Sequence, residues 1–415
     1  MLLRKTIIST FCLLISIFVH AQPGGSVTNA QDYNKAVDLL RQKQYQMAID
    51  LYSKVIERNP VFFEAFTDRA RCYQAVNRDE EALNDFKSAI QKNANYYPAW
   101  IYRGVFYTER KDFFKAIDDF SKAMKLKPQL TEPLLKRAEV YIQLQRWDDA
   151  VADITKALEI NKTDANAFFL RGGIYEVKKQ KKEAFADYTS AIKNKPNYAE
   201  AFYKRGLINA SFGDYTKALS DFNQALSLNN VYEEVLRARA DLYYYNKKYN
   251  EAYAEITRVI EAFKANESEL YYKRGVCLSA IGKCPDAIKD FNKAANISRE
   301  NDSAYVQIGN CYMRMDKKSQ QAMTYYRRAM QANPQNAEAY LGRAKVYLDM
   351  KRPQLALQDL DESLKFGKLA EAYYLRGALR DQNNDKKGAC EDLKMAAQLG
   401  YTEAQRRVAE YCPEM

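Results

Sequence analysis

A phrase of the form aromatic-x-x-Arg-Gly/Ala returns every 34 residues through most of this 415-residue chain, and a period of that length constrains the fold more than any single motif. It reads Phe66-x-x-Arg69-Ala70, Trp100-x-x-Arg103-Gly104, Phe168-x-x-Arg171-Gly172 and Phe202-x-x-Arg205-Gly206, and continues through Tyr271/Arg274/Gly275, Tyr340/Arg343/Ala344 and Tyr373/Arg376/Gly377. Twelve residues after the small residue stands an alanine: Ala82, Ala116, Ala150, Ala184, Ala218, Ala252, Ala287, Ala356 and Ala389. A second small residue usually follows seven further on, such as Ala89, Ala123 and Ala157, and Pro60, Pro128, Pro196 and Pro334 close several repeats. Apolar residues between these marks fall three and four apart, the spacing of one helix face. Small residues let two antiparallel helices approach, and bulky ones fill the space between them. Glycine (15) and proline (10) are scarce, and no proline sits in an expected helix interior. One such repeat cannot bury its apolar face alone, so neighbours share a continuous core. The two or three domains expected from length give way to a single stack.

This pattern resembles the tetratricopeptide repeat family, whose aromatic, Gly/Ala, Tyr, Ala, Phe/Tyr, Ala and Pro positions are met in register. The resemblance implies an all-α fold: a right-handed superhelical solenoid of about eleven helix-turn-helix repeats closed by a capping helix. The repeats run 29–62, 63–96, 97–130, 131–164, 165–198, 199–232, 233–266, 268–301, 302–336, 337–369 and 370–401, with a cap and tail at 402–415. The register slips near Glu267 and Ser319 and loses one residue before Ala370. The first repeat is degenerate, with Asp32 at the aromatic position and Lys35 at that of the arginine.

Position 7 of the repeat carries an arginine ladder: Arg69, Arg103, Arg137, Arg171, Arg205, Arg239, Arg274, Arg343 and Arg376. An anion-binding stripe is one reading. Position 23, however, carries Asp85, Asp119, Asp153, Asp187, Asp221, Glu255, Asp290, Asp359 and Asp392 in the same nine repeats. The other two repeats lack both partners, with Lys35 facing Leu51 and Ile308 facing Tyr325. Matched presence and absence within one chain points to a pair joining the two helices of each repeat, because a half-buried guanidinium needs a carboxylate.

The resemblance also implies a groove lined by first-helix positions 2, 5, 9, 12 and 13. There the fifth to eighth repeats place Phe169, Tyr203, Arg237, Asp241, Tyr244, Tyr245 and Tyr272, side-chain types that often anchor interfaces. The expected role is a non-catalytic scaffold or adaptor that takes a protein or peptide segment in this groove. The alternative is a carbohydrate- or cell-wall-binding module that stacks sugars on the tyrosines. The family's carboxylate clamp is not matched: Arg237 is followed by Asp241 where asparagine belongs, and Asn310 is preceded by Val306 where a base belongs.

Residues 1–21 read as an export signal, with Arg4 and Lys5 before an apolar run from Ile7 to Val19 and a small residue, Ala21, before the expected new N-terminus at Gln22. Residues 22–28 read as a flexible lead-in, and no later run is long enough to span a bilayer. The expected location is periplasmic or extracellular. The one histidine of the chain, His20, lies in the segment to be removed, so neither a Ser-His-Asp site nor a histidine-ligated zinc is available. No cofactor or metal is indicated. Removing residues 1–21 takes Arg4 and Lys5 from 64 basic side chains and leaves 53 acidic ones, a net charge of +9, too diffuse to suggest nucleic acid.

Six cysteines remain. Cys72, Cys277 and Cys311 share the small buried position 10. Cys390 lies on the second helix of the last repeat and Cys412 at the end of the cap. A second helix packs on the first helix that follows it, so Cys390 and Cys412 are expected to pair as a disulfide, with the pairing of Cys277, Cys284 and Cys311 left open.

Overall fold

The computed structural model describes residues 27–298, 301–315 and 319–412. Among them the chain forms helices and no strand. The helices are α1 (Val27–Arg41), α2 (Tyr45–Arg58), α3 (Phe63–Ala75), α4 (Asp79–Lys92), α5 (Tyr97–Glu109), α6 (Phe113–Leu126), α7 (Thr131–Gln143) and α8 (Trp147–Ile160). They continue as α9 (Ala165–Val177), α10 (Lys181–Asn194), α11 (Ala199–Ser211), α12 (Tyr215–Leu228), α13 (Glu233–Tyr245), α14 (Tyr249–Phe263), α15 (Ser268–Ala280) and α16 (Cys284–Ile297). The last are α17 (Asp302–Arg314), α18 (Ser319–Ala332), α19 (Ala337–Asp349), α20 (Pro353–Phe366), α21 (Ala370–Gln382), α22 (Lys386–Gln398) and α23 (Thr402–Tyr411). Odd and even helices are the first and second helices of the repeats. The export segment and most of the lead-in lie outside the described residues; Val27 and Thr28, assigned to the lead-in from sequence, open α1.

The chain divides into two compact blocks, Met1–Pro196 and Asn197–Met415, where the sequence alone suggests one stack. Contacts in a repeat protein are between neighbours, and the division falls in the turn between the fifth and sixth repeats.

Local chemistry sets each repeat. The residue at position 24 is its centre: Phe86, Phe120, Ile154, Tyr188, Phe222, Ile256, Phe291 and Leu360 are all buried. Burying such a side chain contributes about 1.5–3 kcal/mol. The small residue at position 8 is the counterpart of that ring, since a Cβ on Gly104 would lie 2.7 Å from Phe120. Between repeats, the side-chain oxygens of Asn59, Asn93, Asn161 and Asn229 accept from the N–H two residues on, an Asx turn that starts the next helix. Within repeats, position 15 is left-handed, as at Asn77, Lys111, Gln145, Lys179 and Lys247.

Within each block successive first helices approach each other: α1 with α3, α3 with α5 and α5 with α7 in one, α11 with α13, α15 with α17 and α17 with α19 in the other. Second helices do not pack on one another to that extent. First helices therefore line the inner side of the stack in each block.

Candidate functional site: the first-helix face and the ladder behind it

The ladder is an internal fastening. Arg69 donates from Nε and Nη2 to the two carboxylate oxygens of Asp85 at 2.7 and 2.8 Å. The same fork joins Arg103 to Asp119 and Arg137 to Asp153. It recurs in Arg171–Asp187 and Arg205–Asp221, and in Arg274–Asp290, Arg343–Asp359 and Arg376–Asp392. Two parallel charge-assisted bonds give the pair its geometry. The guanidiniums of Arg69, Arg103, Arg171 and Arg343 also lie against aromatic residues one turn away on either side: Arg69 is 5.7 Å from the Phe66 ring centroid and 5.6 Å from that of Tyr73.

Sequence reasoning missed the third nitrogen. Nη1 of Arg69, Arg137 and Arg171 donates to Ser53, Ser121 and Thr155, position 25 of the preceding repeat. In the C-terminal block Arg239 reaches Asn223 and Arg376 reaches Asp361 in the same way. One arginine thus ties its own two helices and the repeat before it. The signal was present as short polar residues at position 25, which read as ordinary helix surface.

The expected groove residues separate into two groups. Phe169 belongs to the N-terminal block and packs on Tyr188, with ring centroids 5.5 Å apart. The other six belong to the C-terminal block. Tyr203 and Tyr272 face the position-24 rings of their own repeats, Phe222 at 6.3 Å and Phe291 at 5.7 Å. An aromatic at position 5 is thus partly the inner wall of the core, because it sits over the ring that fills the repeat. Burial raises the pKa of Tyr272.

Arg237 and Asp241 are not free either. Arg237 Nη2 lies 2.7 Å from Glu267 and 2.8 Å from Glu233, and the hydrogen bond to Glu267 raises its pKa. Asp241 accepts from Lys273 Nζ at 2.7 Å, and Glu269 approaches the same ammonium at 2.6 Å. Burial pulls the Lys273 pKa down, but hydrogen bonds to Asp241 and Glu269 outweigh it and leave the group above the ordinary lysine value. The glutamate is correspondingly lowered by that bond. Lys273 was not foreseen: position 6 is outside the five groove positions, and its reach depends on how closely α13 and α15 approach.

Around this charge chain stand the tyrosines. Tyr244 packs edge-on to Tyr245 at 5.4 Å, and Lys273 Nζ lies 5.9 and 5.7 Å from the two ring centroids. Burial pushes the Tyr244 hydroxyl up to about 12, whereas Tyr245 is 71% exposed. Tyr203 adds Tyr232 at 5.5 Å. What remains is a face of part-buried rings with one projecting tyrosine, its charges already paired and held.

Comparison with known proteins agrees with the repeat geometry. Models of the tetratricopeptide repeat match residues 33–98 and 314–379, and that of the ETO1 C-terminal domain matches residues 132–308. The chain is built of tetratricopeptide repeats. It is 32% identical over 113 residues to human tetratricopeptide repeat protein 6, which covers 27% of this chain and 22% of that protein. It is 28% identical over 116 residues to Hsc70-interacting protein 1 of Drosophila melanogaster, covering 28% of each. The matches thus span about a quarter of these relatives. Among solved structures, YrrB, described as a TPR protein with an unusual peptide-binding site, is 23% identical with a TM-score of 0.39, over 45% of this chain and 97% of that one. The Cut9–Hcn1 assembly of the APC/C is 12% identical with a TM-score of 0.46, over 93% of this chain and 97% of that one.

The two terminal cysteines are joined: Cys390 and Cys412 form a disulfide with Cα atoms 5.8 Å apart. Cys72, Cys277, Cys284 and Cys311 are free and buried. Among the described residues no group of three or more His, Cys, Asp or Glu is placed to hold a metal ion, and no helix is long and apolar enough to cross a membrane.

Proposed function

We propose that this chain is a non-catalytic scaffold of the cell envelope that binds a segment of a partner protein on the first-helix face of its C-terminal block. Proteins built of these repeats typically mediate protein–protein contact, and fold alone does not name the partner. The observation that carries the reading is the face on α11, α13 and α15. Tyr244 and Tyr245 pack beside Lys273 of a charge chain in which each ion already has a partner, and Tyr203 packs on Tyr232. Rings fixed by packing lose little entropy on binding, and paired charges offer hydrogen-bonding edges without a bare ion to desolvate. Its edge-on tyrosine pair offers a ridge to a peptide side chain rather than a flat platform to a sugar ring. The reading of residues 1–21 as an export signal supports the envelope; sequencing the mature N-terminus should give Gln22, and a retained Met1 would contradict it.

The test of binding is a photo-crosslinking residue in place of Tyr245 in the full chain, activated in native envelopes. The expected result is a discrete protein adduct that disappears with Tyr203→Ala or Tyr244→Ala. Adducts with glycan alone, or protein adducts indifferent to both changes, would overturn the reading.

A further inference from the structure

The ninth repeat has no ladder pair. Ile308 fills the arginine position and is fully buried, and at this level the Tyr326 hydroxyl ties its helices by donating to Asn310 at 2.8 Å. The ninth repeat therefore contributes no ladder guanidinium to its junction with the eighth.

Two cysteines meet there. Cys284 is the first residue of α16, and Cys311 lies on α17, the next helix to pack on it. Both belong to one buried cluster with Ala287, Phe291, Ala304 and Ile308. The Cys311 thiol donates to Ser279 Oγ at 3.4 Å, its sulfur also stands in hydrogen-bonding contact with the Cys284 thiol, and Arg314 donates to the same Ser279 at 3.0 Å. Cys284 is 6% exposed and Cys311 not at all. Cys277 and Cys72, also fully buried, have no such thiol contact.

We infer that Cys284 and Cys311 form a redox couple, a dithiol that closes to a second disulfide and so fastens the eighth repeat to the ninth where the ladder does not. The partner reagent is a low-molecular-weight disulfide. The Cys284 thiolate attacks one of its sulfurs and expels a thiolate, leaving a mixed disulfide. The Cys311 thiolate then attacks the Cys284 sulfur and expels the second small thiolate. The protein loses two protons and two electrons, and the small disulfide becomes two thiols. The order follows from exposure, since Cys284 is the more exposed residue of the two. Burial pushes the Cys311 thiol up to about 12 even with Ser279 and Arg314 beside it, so the second step is the slow one.

The test uses the full mature chain equilibrated with excess oxidised glutathione, unfolded, alkylated and mapped by mass spectrometry. The expected result is a peptide pair joined through Cys284 and Cys311, with Cys72 and Cys277 alkylated. Hydrogen exchange in α16 and α17 should slow tenfold or more on oxidation, and Cys284→Ser and Cys311→Ser should each abolish that change. Four alkylated thiols after equilibration, or Cys284 carrying glutathione with Cys311 still free, would overturn the inference.

Discussion

The two blocks are made of the same repeat and differ in how faithfully they execute it. In the N-terminal block all four ladder arginines form the two-pronged bond to an aspartate, from Arg69–Asp85 to Arg171–Asp187. In the C-terminal block the ladder falters twice. Arg239 meets Glu255 through one bond of 2.7 Å, and the extra methylene turns the second oxygen away, so that Arg239 Nε and Glu255 Oε2 are buried without partners. The ninth repeat then drops the pair. The departures lie beside the tyrosine face on α13 and α15 and the thiol pair on α16 and α17. Where the stack is uniform each ladder arginine is held by two bonds to its aspartate; where it departs, one bond or the whole pair is lost.

That contrast can be broken by mutation. The largest effect is expected for Arg171→Ala, which leaves Asp187 buried with its side chain 7% exposed. Breaking a buried pair from one side costs about 3 kcal/mol or more. In a repeat stack the loss is local, so amides of α9 and α10 should lose hydrogen-exchange protection while those of α3 and α4 keep theirs. Uniform loss across the N-terminal block would show that its repeats open together.

Next in size is the terminal staple. A cap helix has a neighbour on one side only, and a loop closed over 22 residues contributes on the order of 3 kcal/mol. Cys412→Ser should free α23, seen as early proteolysis beyond Gly400, with the melting of α21 and α22 scarcely changed. A cap that stays protected would mean that Val408 and Tyr401, packed against the same cluster, hold it unaided.

Glu255→Asp sharpens the comparison in the other direction. Restoring the short acid allows the fork to form and gives Arg239 Nε a partner, a gain of about 1 kcal/mol in the unfolding of α13 and α14. No gain, or a loss, would show that the backbone at α14 has settled around the longer side chain.

The smallest effect concerns pH. Burial raises the pKa of Glu64 in α3, with Asp68 adding to the shift, and one of its oxygens lacks a partner. The folded state therefore keeps a proton that the unfolded chain releases near about pH 4.3. Stability falls as pH climbs from there through the folded pKa, and the penalty is complete above it. Glu64→Gln should thus gain stability at neutral pH, by less than about 1 kcal/mol, and gain nothing in acid below about pH 4. A gain that persists in acid would assign the effect to packing.

Much of this was legible in the chain because the repeat reports on itself. Position 7 and position 23 vary together, and that covariation within one sequence marks a contact without any structure. The turn geometry was less legible: the left-handed position 15 is held by lysine at Lys111, Lys179 and Lys247, where a glycine would have announced it. The face on α13 and α15 was only half legible. Residue type singled out Tyr244, Tyr245, Arg237 and Asp241, but whether a charge is free or captured depends on the approach of two helices some thirty residues apart, and Lys273 and Glu267 captured both. The division near Pro196 left no mark, since the period runs through it unbroken.

The central claim is that the arginines are fastenings whose strength is set by the acid opposite, and paired double-mutant cycles test it most directly. Arg171/Asp187 and Arg239/Glu255 are each replaced by alanine singly and together, and local stability is read by hydrogen exchange. The account predicts a coupling of about 1 kcal/mol or more at Arg171/Asp187 and a clearly smaller one at Arg239/Glu255. Coupling near zero at Arg171/Asp187, or equal coupling at both, would contradict it and return the arginines to the pool of ligand contacts.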